Sequence, residues 1–95
     1  VSDPADPVEV ARRRLRMRSM RRGIKEMDLI LSAFAEAQLP RMTAAELATY
    51  EAMLDQSDLD IYRWVSGQDV PPAEFAPLVG QISKLAVGLT SPRGV

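Results

Sequence analysis

Phe75, Leu78, Val79, Ile82, Leu85, Ala86 and Leu89 recur at i, i+3, i+4 and i+7 without a miss, and no other feature constrains the fold of this chain as strongly. That spacing lays a continuous apolar face along one side of a helix, and such a face must be covered. Met27, Ile30, Leu31, Phe34 and Ala35 repeat the pattern upstream, and Leu47, Tyr50, Met53 and Leu54 supply a third stripe. No segment reads convincingly as a strand. Three apolar faces in 95 residues can be covered by packing them on one another. The prediction is an all-α fold, a compact single-domain bundle of about five short helices.

The punctuation between the stripes sets the boundaries. Asp6 suits an N-cap, with Pro7 at the first helical position and Glu9 at the third. This first helix is expected to run to about Met20, with Gly23 as a left-handed stop beyond it. Its thin stripe of Val8, Ala11 and Leu15 predicts a helix that is mostly exposed or faces a partner. The second helix is expected from about Ile24 to Gln38, stopped by Pro40, and Thr43-Ala44-Ala45-Glu46 is a capping box that opens the third. Ser57-Asp58-Leu59-Asp60 opens a short fourth helix, Leu59 to Val65, ended by Gly67 and apolar on nearly all sides, hence expected at the centre of the core. Pro71-Pro72 is expected to start the fifth, with Pro77 inside its first turns, where a missing N–H is tolerated. The resulting division is a flexible N-terminal extension over 1–7, a single helical domain over 8–89 and a disordered tail over 90–95.

Composition narrows the chemistry. There is no cysteine and no histidine, which removes disulfides, the usual zinc sites and histidine-activated nucleophiles. The missing cysteine fits a reducing compartment, and Val1 to Asp6 lacks the basic start of a secretory signal. Charge is divided unevenly. Residues 1–11 carry three acids and no base, residues 12–25 carry eight bases and no acid, and residues 26–95 carry four bases and ten acids. Seven of those eight bases are arginines, whose planar fork favours specific docking over diffuse attraction. A basic arm on an acidic body points first to an acidic protein surface. A nucleic-acid-binding regulator is the alternative, weakened by the lack of an aromatic residue in the basic run and of a recognition helix behind it. An anionic membrane comes last, because the arm lacks large apolar residues.

The arm ends at Arg21-Arg22-Gly23-Ile24-Lys25-Glu26-Met27-Asp28, where cations at the end of one helix meet anions in the first turn of the next. Gly23 would let another backbone approach closely. Glu26 and Asp28 are at i and i+2, which do not face each other on a helix, so paired acid–base work is not expected of them. The spacing of Asp55, Asp58, Asp60 and Asp69 does not make a calcium loop, and most of them are expected on the solvated surface. No glycine-rich phosphate cradle is present. Tyr62 is expected in the core, while Trp64 suits either the core or an interface. The expectation is a corner for docking, with no catalytic residue and no metal site.

Arg18-Ser19-Met20-Arg21-Arg22-Gly23-Ile24-Lys25-Glu26-Met27-Asp28 resembles the signature of the SdhE-type succinate dehydrogenase assembly factors, whose core is Arg-Gly-x-x-Glu. Asp58-Leu59-Asp60-Ile61-Tyr62-Arg63-Trp64 is similar to a second segment of that family. The resemblance covers about residues 12 to 86 and implies a bundle of five helices. It also implies a non-catalytic chaperone that binds the flavoprotein subunit of succinate dehydrogenase or fumarate reductase and promotes covalent attachment of FAD to a histidine there. Arg22, Gly23 and Glu26 would carry the docking, with Arg18, Arg21 and Asp28 beside them. FAD would belong to the client, with no cofactor of the chaperone's own. The chain would be a bacterial cytoplasmic protein, monomeric when free, with no nucleic acid bound and no membrane insertion.

Overall fold

The computed structural model describes residues 6–90, excepting the side chains of 87–90, so the expectations placed on 1–5 and 91–95 lie outside the described residues. Among the described residues, five α-helices follow one another: α1 (Pro7–Arg18), α2 (Lys25–Gln38), α3 (Ala44–Leu54), α4 (Asp58–Val65) and α5 (Ala76–Thr90). A 3-10 turn, Leu39–Arg41, follows α2, and the described residues contain no strand. The all-α bundle expected from periodicity is the fold observed.

The starts of the helices follow local chemistry. The Asp6 carboxylate accepts the Val8 amide at 3.0 Å, with Pro7 in the first position of α1. Thr43 and Glu46 form both bonds of the capping box. The Ser57 hydroxyl accepts the Asp60 amide at 3.1 Å and opens α4. Helix α5 starts later than expected. Residues 73–75 form a turn first, and the helix begins at Ala76 with Pro77 next. A helix begun at Pro72 would put Pro77 beyond its first turn, where the ring meets the carbonyl four residues back.

Helix α2 is the hub. It packs on α5 and also touches α1 and α4, and its Met27, Ile30, Leu31, Phe34 and Ala35 are all buried. Leu47, Tyr50, Met53 and Leu54 of α3 close the core from one side, and Phe75, Leu78, Val79 and Ile82 close it from the other. Helix α1 lies against α3 through Leu15, its one buried residue, and is otherwise exposed or half-buried, in keeping with its thin stripe. One expectation is corrected. Helix α4 is not central, because only Ile61 and Val65, one turn apart, are buried, and Leu59 is 50% exposed. Tyr62 and Trp64 are partly buried at its edge, where the Trp64 ring packs 5.9 Å from Phe75.

One buried polar contact ties α1 to α3. The Ser19 hydroxyl donates to the Leu15 carbonyl at 2.7 Å and lies 2.6 Å from the Tyr50 hydroxyl. Serine has one proton to give, so Tyr50 is the donor in the second contact. Burial raises the Tyr50 phenol from 10.0 to about 12, against the opposing pull of the Ser19 bond and the Arg22 charge. A folded value above the unfolded one means stability is intact below pH 10 and falls as pH rises toward 12. The loss across that window is about 3 kcal/mol by linkage. Urea titrations between pH 9 and about 12 are expected to show this fall in the native chain and a flatter profile in Tyr50→Phe.

Candidate docking surface

The corner between α1 and α2 is built around Arg22. Its Nε donates to Asp58 Oδ1 at 2.8 Å, and its Nη2 lies 2.6 Å from the same oxygen. Its Nη1 donates to the Arg18 carbonyl at 2.7 Å and its Nη2 to the Leu54 carbonyl at 3.2 Å. One guanidinium therefore caps the C-terminal ends of α1 and α3 while pairing with the first-turn carboxylate of α4. Helix ends leave carbonyls without partners, and a cation there also suits the dipole. The pair is well covered, with the Arg22 and Asp58 side chains 13% and 21% exposed.

The second Asp58 oxygen takes the Gly23 amide at 2.6 Å. A Cβ on Gly23 would lie 3.1 Å from that oxygen, so a side chain there presses on the clamp. Gly23 does not take the left-handed conformation expected of it. That role falls to Arg21, at φ 54°. Such a conformation costs a non-glycine residue about 1–2 kcal/mol. It is offset where the Arg21 amide donates to Asp28 Oδ1 at 2.8 Å. The close approach that Gly23 permits is by Asp58 of the same chain.

The six residues expected to bind a partner separate into two groups. Arg22 is engaged inward, Asp28 holds the Arg21 amide, and Arg18 pairs with Asp55 at 2.7 Å. Gly23, Arg21 and Glu26 are exposed, and the side chains of Arg21 and Glu26 engage no partner among the described residues. The first group braces the corner and the second forms its outer surface. The basic arm is also less basic than it reads. Arg12 pairs with Glu9, Arg14 and Arg18 with Glu51, and Arg22 with Asp58, so four of the eight bases are neutralised within the chain. Arg13, Arg16, Arg21 and Lys25 keep exposed, unpaired side chains among the described residues.

Sequence reasoning did not anticipate Asp58 or Ser19. Ser19 was readable, since it continues the Val8, Ala11, Leu15 stripe by one turn. Asp58 had no local signal, because its partner lies 36 residues away. Among the described residues, no three acidic side chains converge to hold a metal ion, and no helix is long and apolar enough to cross a membrane.

Fold and corner together define a small helical bundle with an exposed glycine and, in the first turn of α2, a carboxylate unpaired among the described residues, both beside a turn braced from within. The family described as a flavinator of succinate dehydrogenase matches residues 13–86. The chain belongs to this family of succinate dehydrogenase assembly factors, which are not catalysts. It is 46% identical over 68 residues to a mitochondrial succinate dehydrogenase assembly factor 2 of Scheffersomyces stipitis, covering 70% of this chain and 46% of that protein. It is 35% identical over 86 residues to assembly factor 2-B, mitochondrial, of Drosophila mojavensis, covering 88% and 55%. A Lodderomyces elongisporus relative of the same name matches at 46% over 61 residues, covering 64% and 37%. The chain thus spans between about a third and just over half of the length of these relatives. They also overturn the expectation of a bacterial cytoplasmic protein, since they are mitochondrial proteins of fungi and a fly.

Proposed function

We propose that this chain is a chaperone that binds the flavoprotein subunit of succinate dehydrogenase, or of fumarate reductase, and promotes covalent attachment of FAD to a histidine of that subunit. The observation that carries this reading is the Gly23–Glu26 corner, open on its outer side and braced from within by Arg22 and Asp58. Family membership supports the client's identity. The chain holds no cofactor of its own and is monomeric when free. It needs no reactive group, which agrees with the absence of cysteine and histidine. By binding one arrangement of the client more tightly than the others, it raises the population in which flavin and histidine are close. A corner braced by Arg22 and Asp58 suits this work, because a surface already ordered costs little to bind.

The test is covalent flavin on the subunit, read as in-gel fluorescence after denaturation, in cells with and without the chain. Loss of the covalent band without loss of the polypeptide is expected. An equal band in both rejects the proposal.

A further inference from the structure

Two shallow clefts adjoin on the outer side of α2. One, of about 540 Å³, is lined by Lys25, Glu26, Asp28, Leu29 and Ser32. The other, of about 370 Å³, is lined by Arg16, Met20, Ser32 and Glu36. They share Ser32, whose small side chain leaves the seam between them low. Lys25, Leu29, Ser32 and Glu36 follow at steps of four, three and four, which keeps them on one face of the helix. Along α2 that face is about 16 Å long. The end of α1, with Arg16, and the turn after it, with Met20, form the opposite bank.

Two contrasts mark this groove. Met20 and Leu29 are 43% and 52% exposed, and both line it. Single exposed apolar residues are ordinary, but one in each of two clefts that meet at Ser32 gives the groove an apolar contact on either side of that seam. The second contrast is electrostatic. The side of α1 that faces α3 has its arginines paired, whereas Arg16, Lys25, Glu26 and Glu36 around the groove are exposed and form no ion pair among the described residues. Each end of the groove thus offers one cation and one anion, Lys25 with Glu26 and Arg16 with Glu36.

We infer that this groove seats a polypeptide segment of the client flavoprotein, with apolar side chains of that segment resting on Leu29 in one cleft and Met20 in the other, and charges of both signs at the two ends. The inference rests on the proposed function and extends its site from the Gly23 corner along α2 to Glu36. The mixed lining decides against a polyanion or an anionic bilayer, since Glu26, Asp28 and Glu36 would oppose either one. Methionine adapts its shape to a guest side chain, which suits it to this contact.

The test is the affinity of full-length variants for the isolated flavoprotein subunit, with melting temperature and solution mass measured on the same samples. Leu29→Glu and Met20→Glu are expected to weaken binding roughly tenfold or more, and Glu36→Arg by about threefold, at a melting temperature close to that of the native chain. If a glutamate lowers the melting temperature, Leu29→Gln and Met20→Gln replace them and are expected to weaken binding by at least about threefold. Variants that bind as the native chain does, while Glu26→Lys does not, would overturn the groove and leave the corner standing. A native chain that fails to bind the subunit would overturn both. A native dimer dissociated by Leu29→Glu would assign the groove to a second copy and overturn the inference.

Discussion

Asp58→Ala is expected to lower the melting temperature by about 10–20 °C, the largest stability effect of any surface-reaching residue in this chain. The change removes the acceptor of two Arg22 nitrogens and of the Gly23 amide at one stroke. It leaves the 13% exposed Arg22 side chain with a charge and no counter-ion. Breaking a buried pair costs about 3–5 kcal/mol, and partial exposure here reduces that to about 2–3 kcal/mol. A domain of this size loses about 4–8 °C per kcal/mol. Arg22→Ala should cost a similar amount, because it uncaps the Arg18 and Leu54 carbonyls as well. The double variant should fall well short of the sum, since each single change already disables the clamp. Arg22→Lys should not restore it, for an ammonium cannot reach three acceptors in one plane. Thermal unfolding followed by circular dichroism checks all four proteins. If Asp58→Ala melts within a few degrees of the native chain, the clamp is not what holds the corner.

Glu26→Lys is expected to do the opposite, weakening binding to the flavoprotein subunit about a hundredfold, or roughly 3 kcal/mol, while stability stays within about 0.5 kcal/mol. The separation follows from placement. Glu26 is exposed in the first turn of α2 and engages no partner among the described residues, so the fold loses only a favourable dipole contact. A partner that meets the carboxylate would instead face a reversed charge at the centre of its contact. Titration calorimetry beside thermal unfolding reads both quantities. Full-strength binding by a stably folded Glu26→Lys would remove Glu26 from the site.

The parts legible in the sequence are those that local chemistry writes. The buried faces of α2 and α3 were readable because each is a complete stripe at helical spacing, and the Thr43 capping box because its two members are three residues apart. The inward pull on α1 was only half readable. Its thin stripe marked a largely exposed helix, but gave no sign that Glu51 of α3 pairs with Arg14 and Arg18. The corner was legible as a turn, and its internal bracing was not. Gly23 was expected to turn the chain, yet Arg21 turns it and Gly23 makes room for a carboxylate. That carboxylate lies in the second family segment, so the two segments that carry the resemblance meet in one cluster of hydrogen bonds. No periodicity or cap announces such a pairing, because it depends on how α4 is folded back against α2. The groove beyond the corner was hidden for a similar reason. Met20 and Ser32 belong to different elements, and only the packing of α1 against α2 brings them together.

The central claim is that the braced turn after α1 is a landing surface for a flavoprotein. Hydrogen–deuterium exchange of the full chain, recorded alone and with the isolated subunit, tests it most directly. Slower exchange on binding is predicted over residues 19–32, with α3 and α5 unchanged. Protection confined to α3 or α5, with the turn exchanging as freely as before, would contradict the claim.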